Sequence, residues 1–272
     1  MGDTRAIRLL LTGAAGKMGR EVVRAVSREE DIELVAAVDR VCIGEDVGEL
    51  AGLAKIGPQV SGDLGAALQS SGAHVAVDFT SPDAVMPNAS QFIQHRVAAV
   101  VGTTGLSAAQ LQEIRRLCEE HETPCLVAPN FAIGAVLMMR FCAEAARHFA
   151  GAEIIELHHD QKRDAPSGTA LRTAQLMVEA SGGSPACLLA GKLKQESANQ
   201  PSRGQEAGGV RIHSVRLPGL VAHQEVIFGG LGQTLTIRHD STSRECFMPG
   251  VLVAIRKVRS LSGLVVGLEN LL

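Results

Sequence analysis

The sequence predicts an α/β protein in which a doubly wound parallel sheet is joined to an α+β domain with a mixed sheet. Three observations support this fold class. Short apolar runs alternate with helical segments in the first half, a glycine-rich turn follows the first run, and the second half holds extended runs separated by short turns. Continuous apolar runs are typical of strands buried on both faces, and helices between them make successive strands parallel.

Hydrophobic patterning defines the elements of the first half. Five apolar runs have the length of buried strands, and three segments between them have helical character. The predicted strands are Ile7–Leu11, Leu34–Val38, Val75–Phe79, Ala98–Val101 and Cys125–Ala128, and the predicted helices are Met18–Ser27, Val85–Gln94 and Ser107–Glu120. This alternation indicates a Rossmann-like sheet.

The pattern changes after Asn130. A long helix is predicted over Ala132–Phe149, followed by a strand at Ile154–Leu157 and a helix that begins near Thr169 with Ser167 as its cap. Three extended runs then predict an antiparallel or mixed sheet: Val210–Leu217, Leu220–Phe228 and Gln233–His239.

We expect residues 1–130 to form a dinucleotide-binding domain and residues 131–240 to form a substrate-binding and oligomerisation domain. Residues 241–272, with a helix over Phe247–Val258, are expected to return to the first domain. The Gly/Ser/Gln-rich span from Ser181 to Gly209 is predicted to hold a mobile loop.

Composition argues against several classes of protein. The net charge of −3 lacks the basic excess of a nucleic-acid binder, and the absence of Trp and Tyr leaves little material for base stacking. No apolar run approaches the ~20 residues of a membrane span, and the amino-terminal segment lacks a signal-peptide pattern. Six scattered cysteines without a CxxC pair are typical of reduced thiols. We therefore expect a cytoplasmic protein that binds neither nucleic acid nor a membrane.

The glycine-rich turn, TGAAGKMGR from Thr12 to Arg20, lies between the first strand and the first helix. Gly13 permits a tight turn, Gly16 lets the backbone approach a pyrophosphate, and Gly19 permits close helix packing. The spacing is GxxGxxG rather than GxGxxG, so a turn that serves only packing is the alternative interpretation.

Asp39 supplies the second half of a dinucleotide site, because it follows the second strand 20 positions after Gly19. A carboxylate there accepts hydrogen bonds from ribose hydroxyls. Asp39 favours NADH because it would repel a 2′-phosphate, whereas Arg40, with Lys17 or Arg20, would attract that phosphate. The sequence predicts NADH or NADPH as cofactor without choosing between them.

Later strand ends face the same crevice in a conventional sheet, since ligands bind outside the carboxyl ends of parallel strands. Phe79-Thr80 follows one strand, and Gly102-Thr103-Thr104-Gly105 follows the next. Small residues with free amides and hydroxyls suit a nicotinamide carboxamide, although an ordinary turn is the alternative for 102–105. A third strand end, Ala128-Pro129-Asn130-Phe131, marks where the chain leaves for the second domain, and we count Pro129 among the expected cofactor residues.

The stretch from Glu153 to Ala170, EIIELHHDQKRDAPSGTA, places four cationic or titratable side chains between a strand and a helix start. Free N–H groups at the helix start and the helix dipole form an anion site. The four side chains, which are His158, His159, Lys162 and Arg163, add donors. A small carboxylate substrate and a proton donor are therefore predicted here. Solvated polar residues in an ordinary turn are the alternative.

Three other interpretations of these motifs compete with a catalytic dinucleotide-dependent site. A metal site at His158, His159 and Asp160 is disfavoured, because adjacent side chains on a strand point to opposite faces, and we predict no metal. A semialdehyde dehydrogenase would need a nucleophilic cysteine in an accessible, electropositive turn. A non-catalytic NAD(P)-sensing regulator would not need His158 and Lys162.

The chain resembles the dihydrodipicolinate reductase (4-hydroxy-tetrahydrodipicolinate reductase) family over essentially its whole length. The most specific part is ELHHDQKRDAPSGTA at 156–170, which matches the family pattern E-x-H-H-x-x-K-x-D-A-P-S-G-T-A. Similar motifs are GAAGKMG at 13–19, DFTSP at 78–82, VGTTG at 101–105, PNFAIG at 129–134 and LPGLVAHQEVIFG at 217–229. The resemblance implies NAD(P)H-dependent reduction of 4-hydroxy-2,3,4,5-tetrahydrodipicolinate to tetrahydrodipicolinate in lysine and diaminopimelate biosynthesis, by a homotetrameric oxidoreductase.

The resemblance also implies roles for single residues. His158 would donate a proton with Lys162 as its partner, His159 would contact the substrate, and Gly168 and Thr169 would hold a carboxylate. The residues implied to line the cofactor are Gly13, Lys17, Met18, Asp39, Gly102, Thr104, Asn130 and Phe131, with Arg244 and Phe247 near the cofactor or the interdomain crevice.

The chain departs from the family pattern at one position. Ser81 stands where many members carry an arginine near the cofactor phosphates. This difference leaves the preference for a phosphorylated cofactor open.

Overall fold

The computed structural model describes residues 6–182 and 201–272, with only the backbone of Pro201. The chain divides into two compact units, each described here by itself. Unit 1 comprises Met1–Phe131 and Phe247–Leu272, and unit 2 comprises Ala132–Cys246. Most of the predicted loop between Ser181 and Gly209, including Cys187, lies outside the described residues.

Unit 1 is built on a seven-stranded sheet in which every pair of neighbours is parallel. Its strands, numbered in chain order, are β1 Ile7–Thr12, β2 Ile32–Val38, β3 Val60–Ser61, β4 Val75–Asp78, β5 Ala98–Val101, β6 Cys125–Val127 and β12 Leu264–Val266. They are arranged β12-β6-β5-β4-β1-β2-β3. The strand order reverses between β1 and β4, and such a reversal opens a crevice at the carboxyl ends of those strands.

Helices connect these strands and cover the sheet. They are α1 Lys17–Val26, α2 Val47–Leu50, α3 Leu64–Ser71, α4 Pro82–Gln94, α5 Ala108–Glu120 and α8 Met248–Lys257. Ser107 caps α5 with a capping box, in which the Ser107 hydroxyl accepts from the backbone amide of Gln110 and the Gln110 side chain accepts from the backbone amide of Ser107. Short elements escaped prediction: α2, α3, β3 and β12 have eight residues or fewer and weak periodicity.

The described part of unit 2 contains a five-stranded mixed sheet together with the α-helices α6 and α7, which confirms the predicted fold class. The elements are α6 Ile133–Ala145, β7 Gly151–His158, α7 Gly168–Ala180, β8 Gln205–Ala207, β9 Val210–Arg216, β10 Ala222–Gly230 and β11 Gln233–Ser241. The strand order is β11-β10-β7-β9-β8, and β7–β9 is the parallel pair among antiparallel neighbours.

The predicted helix over 132–149 ends earlier than expected. The helix stops at Ala145, because the chain must turn back to enter β7 at Gly151. Phe149 packs instead against Phe228 of β10, with ring centroids 5.7 Å apart. The apolar pattern continued past the helix end because this phenylalanine is part of the sheet packing.

The alternation along β7 decides which side chains reach the interior of unit 2. Ala152, Ile154 and Glu156 are buried, whereas Ile155 and Leu157 on the opposite face are half-buried. His158 shares the face of Glu156, since side chains two residues apart on a strand point the same way. Among the described residues, no helix combines the length and apolarity of a membrane span.

Candidate active site

A cleft of about 340 Å³ lies in unit 1 where β1 and β4 end. Four of the predicted cofactor residues line it: Gly13, Gly16, Asp39 and Arg40. Other lining residues come from the ends of β1, β2 and β4 and from α4, among them Thr12, Phe79, Thr80, Ser81 and Asn88. The cleft therefore occupies the crevice that the strand order predicts.

The glycine turn has the close backbone approach that a dinucleotide site requires. Gly13 has a φ of +77°, and a Cβ there would overlap the carbonyl of Phe79. A Cβ on Gly19 would overlap the carbonyl oxygen of Gly13, so α1 packs directly against the turn. Gly16 at the start of α1 provides no side-chain cap, which leaves the first helical amides available to an anion. These features fit a bound pyrophosphate.

Asp39 is held by backbone amides at the end of β2. One carboxylate oxygen accepts from the amide of Ala15 at 3.0 Å, and the other accepts from Arg40 at 2.7 Å and Val41 at 3.3 Å. The first of these bonds ties Asp39 to the glycine turn. Asp39 is half-buried and Arg40 is exposed, so a carboxylate and a guanidinium border the same cleft.

Asp78, which the sequence analysis assigned no role, organises the strand ends around this cleft. Its fully buried carboxylate accepts from the hydroxyls of Thr12 at 2.7 Å, Thr80 at 2.8 Å and Thr103 at 2.6 Å. It also accepts from the Asn88 amide at 2.8 Å and from the Thr80 amide at 3.2 Å. One side chain thus links β1, β4, α4 and the segment after β5.

The remaining predicted cofactor residues lie outside the described lining of the cleft. Phe131 is buried and packs edge-to-face on Phe79, with ring centroids 5.8 Å apart. Gly102 makes room for the Phe79 ring, which a Cβ would overlap. The others range from exposed to buried: Lys17, Thr104 and Pro129 are exposed, Met18 and Asn130 are half-buried, and Gly19 is buried. Their cofactor roles stay predictions.

A second group of polar side chains lies in unit 2, at the carboxyl ends of β7 and β9. His158 is 14% exposed, and its Nδ1 lies 2.5 Å from an oxygen of Glu156. Arg216 donates two hydrogen bonds to the same carboxylate, at 2.8 and 2.9 Å. Burial alone would raise the pKa of Glu156, but the hydrogen bonds from His158, Arg216 and Ser214 outweigh it and lower that pKa to about 2.

Lys162 and the start of α7 complete this group. The Lys162 ammonium donates to both carboxylate oxygens of Asp164 at 2.8 Å, and this bond lowers the pKa of Asp164. Ser167 caps α7 as predicted, with its hydroxyl accepting from the amide of Ala170. Gly168 is exposed and Thr169 half-buried at the helix start, where backbone amides attract anions.

His159 lies beyond the end of β7 and is half-buried, one residue after the histidine that contacts Glu156. Within the described residues, no three His, Cys, Asp or Glu side chains are grouped to hold a metal. The structure thus brings His158, Lys162 and the start of α7 into one neighbourhood, together with two residues that the sequence analysis gave no role, Glu156 and Arg216.

The described cysteines give no support to a semialdehyde dehydrogenase. Burial raises the pKa of Cys142 to about 12, and a hydrogen bond with Cys118 together with burial raises that of Cys125. Burial also raises the pKa of Cys42. The hydrogen bond with Cys125 lowers the pKa of Cys118, but this thiol is buried. A catalytic thiol requires a lowered pKa in an accessible, electropositive place.

The fold and the site together indicate a class of protein. A doubly wound sheet with a glycine turn and Asp39 at the end of β2 is typical of dinucleotide-binding domains, and unit 2 adds His158 and Lys162 as candidate acid–base groups. These features are those of a nicotinamide-dependent oxidoreductase. Comparison with known proteins narrows this class. Residues 7–131 match the family model "Dihydrodipicolinate reductase, N-terminus", and residues 134–272 match "Dihydrodipicolinate reductase, C-terminus". The chain belongs to the dihydrodipicolinate reductase family.

Individual relatives agree over nearly the full length. The chain is 53% identical over 266 residues to 4-hydroxy-tetrahydrodipicolinate reductase of Moorella thermoacetica, covering 98% of each protein. It is 52% identical over 269 residues to the enzyme of the same name from Desulfitobacterium hafniense, covering 98% of this chain and 99% of the relative.

A solved structure shows the same fold. Dipicolinate-bound dihydrodipicolinate reductase from a Paenisporosarcina species superposes with a TM-score of 0.85 at 44% identity, covering 98% of this chain and 100% of the other. An amine dehydrogenase from Mycobacterium smegmatis, at 16% identity and a TM-score of 0.67, shares the fold alone.

Proposed function

We propose that this protein uses NADH or NADPH to reduce 4-hydroxy-2,3,4,5-tetrahydrodipicolinate to tetrahydrodipicolinate, a step of diaminopimelate and lysine biosynthesis. The observation that carries the proposal is the grouping of His158 and Lys162 beside the start of α7, within the motif that typifies the family. The names of the relatives describe the same reaction class.

The residues of unit 1 are suited to hold the cofactor, which supplies a hydride when bound. The free amides at the start of α1 would bind the pyrophosphate, and Asp39 would accept from the adenosine ribose. Arg40 would compensate for the repulsion between Asp39 and a 2′-phosphate, so we propose that both cofactors bind.

The residues of unit 2 are suited to a small dicarboxylate. The amides of Gly168 and Thr169 would receive one carboxylate, because the positive end of α7 lies there. The Lys162 ammonium, now paired with the exposed Asp164, can exchange that partner for the substrate. The dipicolinate bound to the Paenisporosarcina relative is a flat ring with two carboxylates, which supports a ligand of this kind.

Proton transfer is assigned to His158, with Lys162 as its partner. Loss of the 4-hydroxyl group as water, with Lys162 assisting, would come first and would create a carbon–carbon double bond conjugated with the imine. A hydride from the bound cofactor would add to the far carbon of that double bond, with the electron pair moving toward nitrogen. A positioned acid would then protonate the resulting anion. We further propose that the protein acts as a cytoplasmic homotetramer, which sedimentation equilibrium would test.

The test is a pair of substitutions in unit 2. Lys162→Met is expected to lower turnover by ~10²-fold or more, the scale of a general acid–base group, and His158→Gln is also expected to lower it. NADH affinity should stay near that of the wild type, because the cofactor residues lie in unit 1. Steady-state kinetics on freshly generated substrate and NADH titration measure both quantities.

Lys55→Met is the matched control, since Lys55 is an exposed lysine on unit 1. It should keep the wild-type rate. If both site variants fold and turn over as fast as the wild type, the proposed active site is wrong. If the wild type binds NADH but does not oxidise it with this substrate, the alternative of a sensing regulator gains support.

A further inference from the structure

Glu156 is a fully buried carboxylate that joins three segments of unit 2. One of its oxygens accepts from Arg216 of β9 at 2.8 Å and from the amide of Ser167 at 3.2 Å. The other accepts from Arg216 at 2.9 Å and lies 2.5 Å from Nδ1 of His158. Arg216 thus bonds to both carboxylate oxygens, and the Ser214 side chain is a further hydrogen-bond partner of Glu156. The guanidinium and the Ser167 amide are fixed donors.

The geometry decides where the proton between Glu156 and His158 lies. An unprotonated carboxylate oxygen and an unprotonated ring nitrogen repel each other at 2.5 Å, so one proton must lie between them. The two guanidinium bonds from Arg216 stabilise the ionised carboxylate. The proton consequently lies on Nδ1, and in the neutral imidazole Nε2 is the nitrogen with a free lone pair.

We propose that Glu156, held by Arg216, is a positioning residue that fixes the proton of His158 on Nδ1 and so reserves Nε2 for proton exchange with the substrate. Neither residue needs to touch the substrate. The inference rests on the proposed function, because it assigns the atom of His158 through which that reaction would proceed.

Arg216 extends this arrangement to the loop that carries Lys162. The same Nη2 that binds Glu156 also donates to the backbone carbonyl of Asp164 at 2.7 Å, and the side chain of Asp164 binds the Lys162 ammonium. His158 and Arg216 are paired in register at the ends of β7 and β9. The orientation of the imidazole and the path of the loop therefore depend on the same guanidinium.

Within the described residues, the charged and titratable groups of the segments next to His158 come from β7, β9 and the loop after β7. They are Glu156, Arg216, and the loop residues His159, Asp160, Lys162, Arg163 and Asp164. On the other side, β10 places Ala222 opposite His158 and the neutral Gln224 opposite Glu156. A change in charge at Glu156 is thus felt directly by the imidazole.

Nitrogen-15 NMR of the histidine rings in the full-length wild type tests the proposal directly. Spectra recorded between about pH 5 and about pH 9 cover the range in which imidazole titrates, and His158→Gln identifies the signal. We expect the neutral ring to carry its proton on Nδ1. A neutral ring protonated on Nε2 would overturn the proposal, even if His158→Gln abolishes turnover as the proposed function requires.

Kinetics provide the second test, with a control on the same strand. Glu156→Gln removes the charge and is expected to lower kcat by ~10-fold or more and to shift its pH profile, as loss of the carboxylate partner does in other histidine-dependent enzymes. The KM for NADH should not change. Glu153→Gln is the matched control, because Glu153 binds His213 at 2.7 Å and pairs with Arg203 on the opposite face of β7. It should leave kcat and the pH profile unchanged.

Arg216→Lys is the variant to use if Glu156→Gln fails to fold, since it keeps the positive charge but loses the two-point contact. The His158 ring of this variant should keep its proton on Nδ1. Its kcat should fall only a few-fold, which is less than the loss expected for Glu156→Gln. If a folded Glu156→Gln protein keeps the wild-type kcat and pH profile, Glu156 is merely structural and the proposal fails. Because His158→Gln would still be inactive in that case, the proposed function would survive.

Discussion

Two buried carboxylates, one in each unit, are stabilised in opposite ways. Asp78 and Glu156 are both fully buried near the carboxyl ends of parallel strands. Asp78 accepts hydrogen bonds from neutral hydroxyls and amides. Glu156 is bound by a guanidinium and an imidazole, with the Ser167 amide and the Ser214 hydroxyl in addition.

The difference matches the binding role that we propose for each unit. Neutral donors around Asp78 fix three strand ends beside a cleft suited to an anionic dinucleotide, without placing a side-chain cation at the carboxylate. Glu156 is next to a titratable ring, and its negative charge acts on the proton of that ring. A buried carboxylate can thus hold several segments together or act electrostatically on a neighbouring titratable group. Whether its hydrogen-bond donors are neutral or charged distinguishes the two cases.

The largest expected effect in this comparison is the pH dependence of the contribution that Glu156 makes to the unfolding free energy. Its pKa is lowered from 4.5 to about 2 in the folded protein, so its contribution to stability is present above pH 4.5 and is lost as the pH falls toward 2. A shift of this size corresponds to about 3 kcal/mol. The unfolding free energy of the wild type, relative to Glu156→Gln, should fall by this order between those pH values. Denaturant titrations of both proteins measure it, and a constant difference would contradict the low pKa.

A smaller effect is expected at Asp78. Asp78→Ala leaves three threonine hydroxyls and the Asn88 amide without their acceptor, which should lower the unfolding free energy by about 2–3 kcal/mol. Asp78→Asn should cost less, because the hydroxyls can rotate to accept from the new amide. Asp83→Asn, at an exposed position of α4, is the control for thermal unfolding. An Asp78→Ala protein as stable as the wild type would show that this carboxylate does not join the strand ends.

The smallest effect concerns cofactor choice at Asp39, whose carboxylate, unlike the other two, borders an open cleft. Asp39→Ala should weaken the binding of NADH by about tenfold, because it removes hydrogen bonds to the ribose. It should weaken the binding of NADPH by less, because it also removes a charge that repels the 2′-phosphate. Fluorescence titration with each cofactor gives both dissociation constants. An unchanged ratio would mean that Asp39 does not face the ribose.

Local chemistry made much of the fold predictable. The apolar runs of β1, β4 and β5, the helix α5 and the Ser167 cap of α7 depend on neighbouring residues, and each is found close to its predicted place. By contrast, β12 is three residues long and becomes a strand only because β6 offers it a parallel edge. Patterning carries no signal for that pairing.

In the candidate site, too, the residues of a local motif were predictable, whereas a residue placed by strand pairing was not. His158 and Lys162 were predicted because they lie in one short motif before a capped helix. Arg216 lies 60 residues after Glu156, and only the register of β9 on β7 brings its guanidinium to that carboxylate. A glutamate two positions before a histidine, inside an otherwise apolar strand, was the available signal, since strand periodicity places both on one face.

The parallel pairing of β7 and β9 has a consequence for how this chain builds binding sites. Unit 2 is mainly antiparallel, yet its catalytic candidates gather at the pair of strands that run in the same direction, with α7 as the helix in their crossover. Unit 1 follows the same rule at β1 and β4. Parallel strands direct their carboxyl ends to one edge, where helix starts also lie. In both sheets, therefore, the direction of the strands determines at which edge the candidate site residues lie.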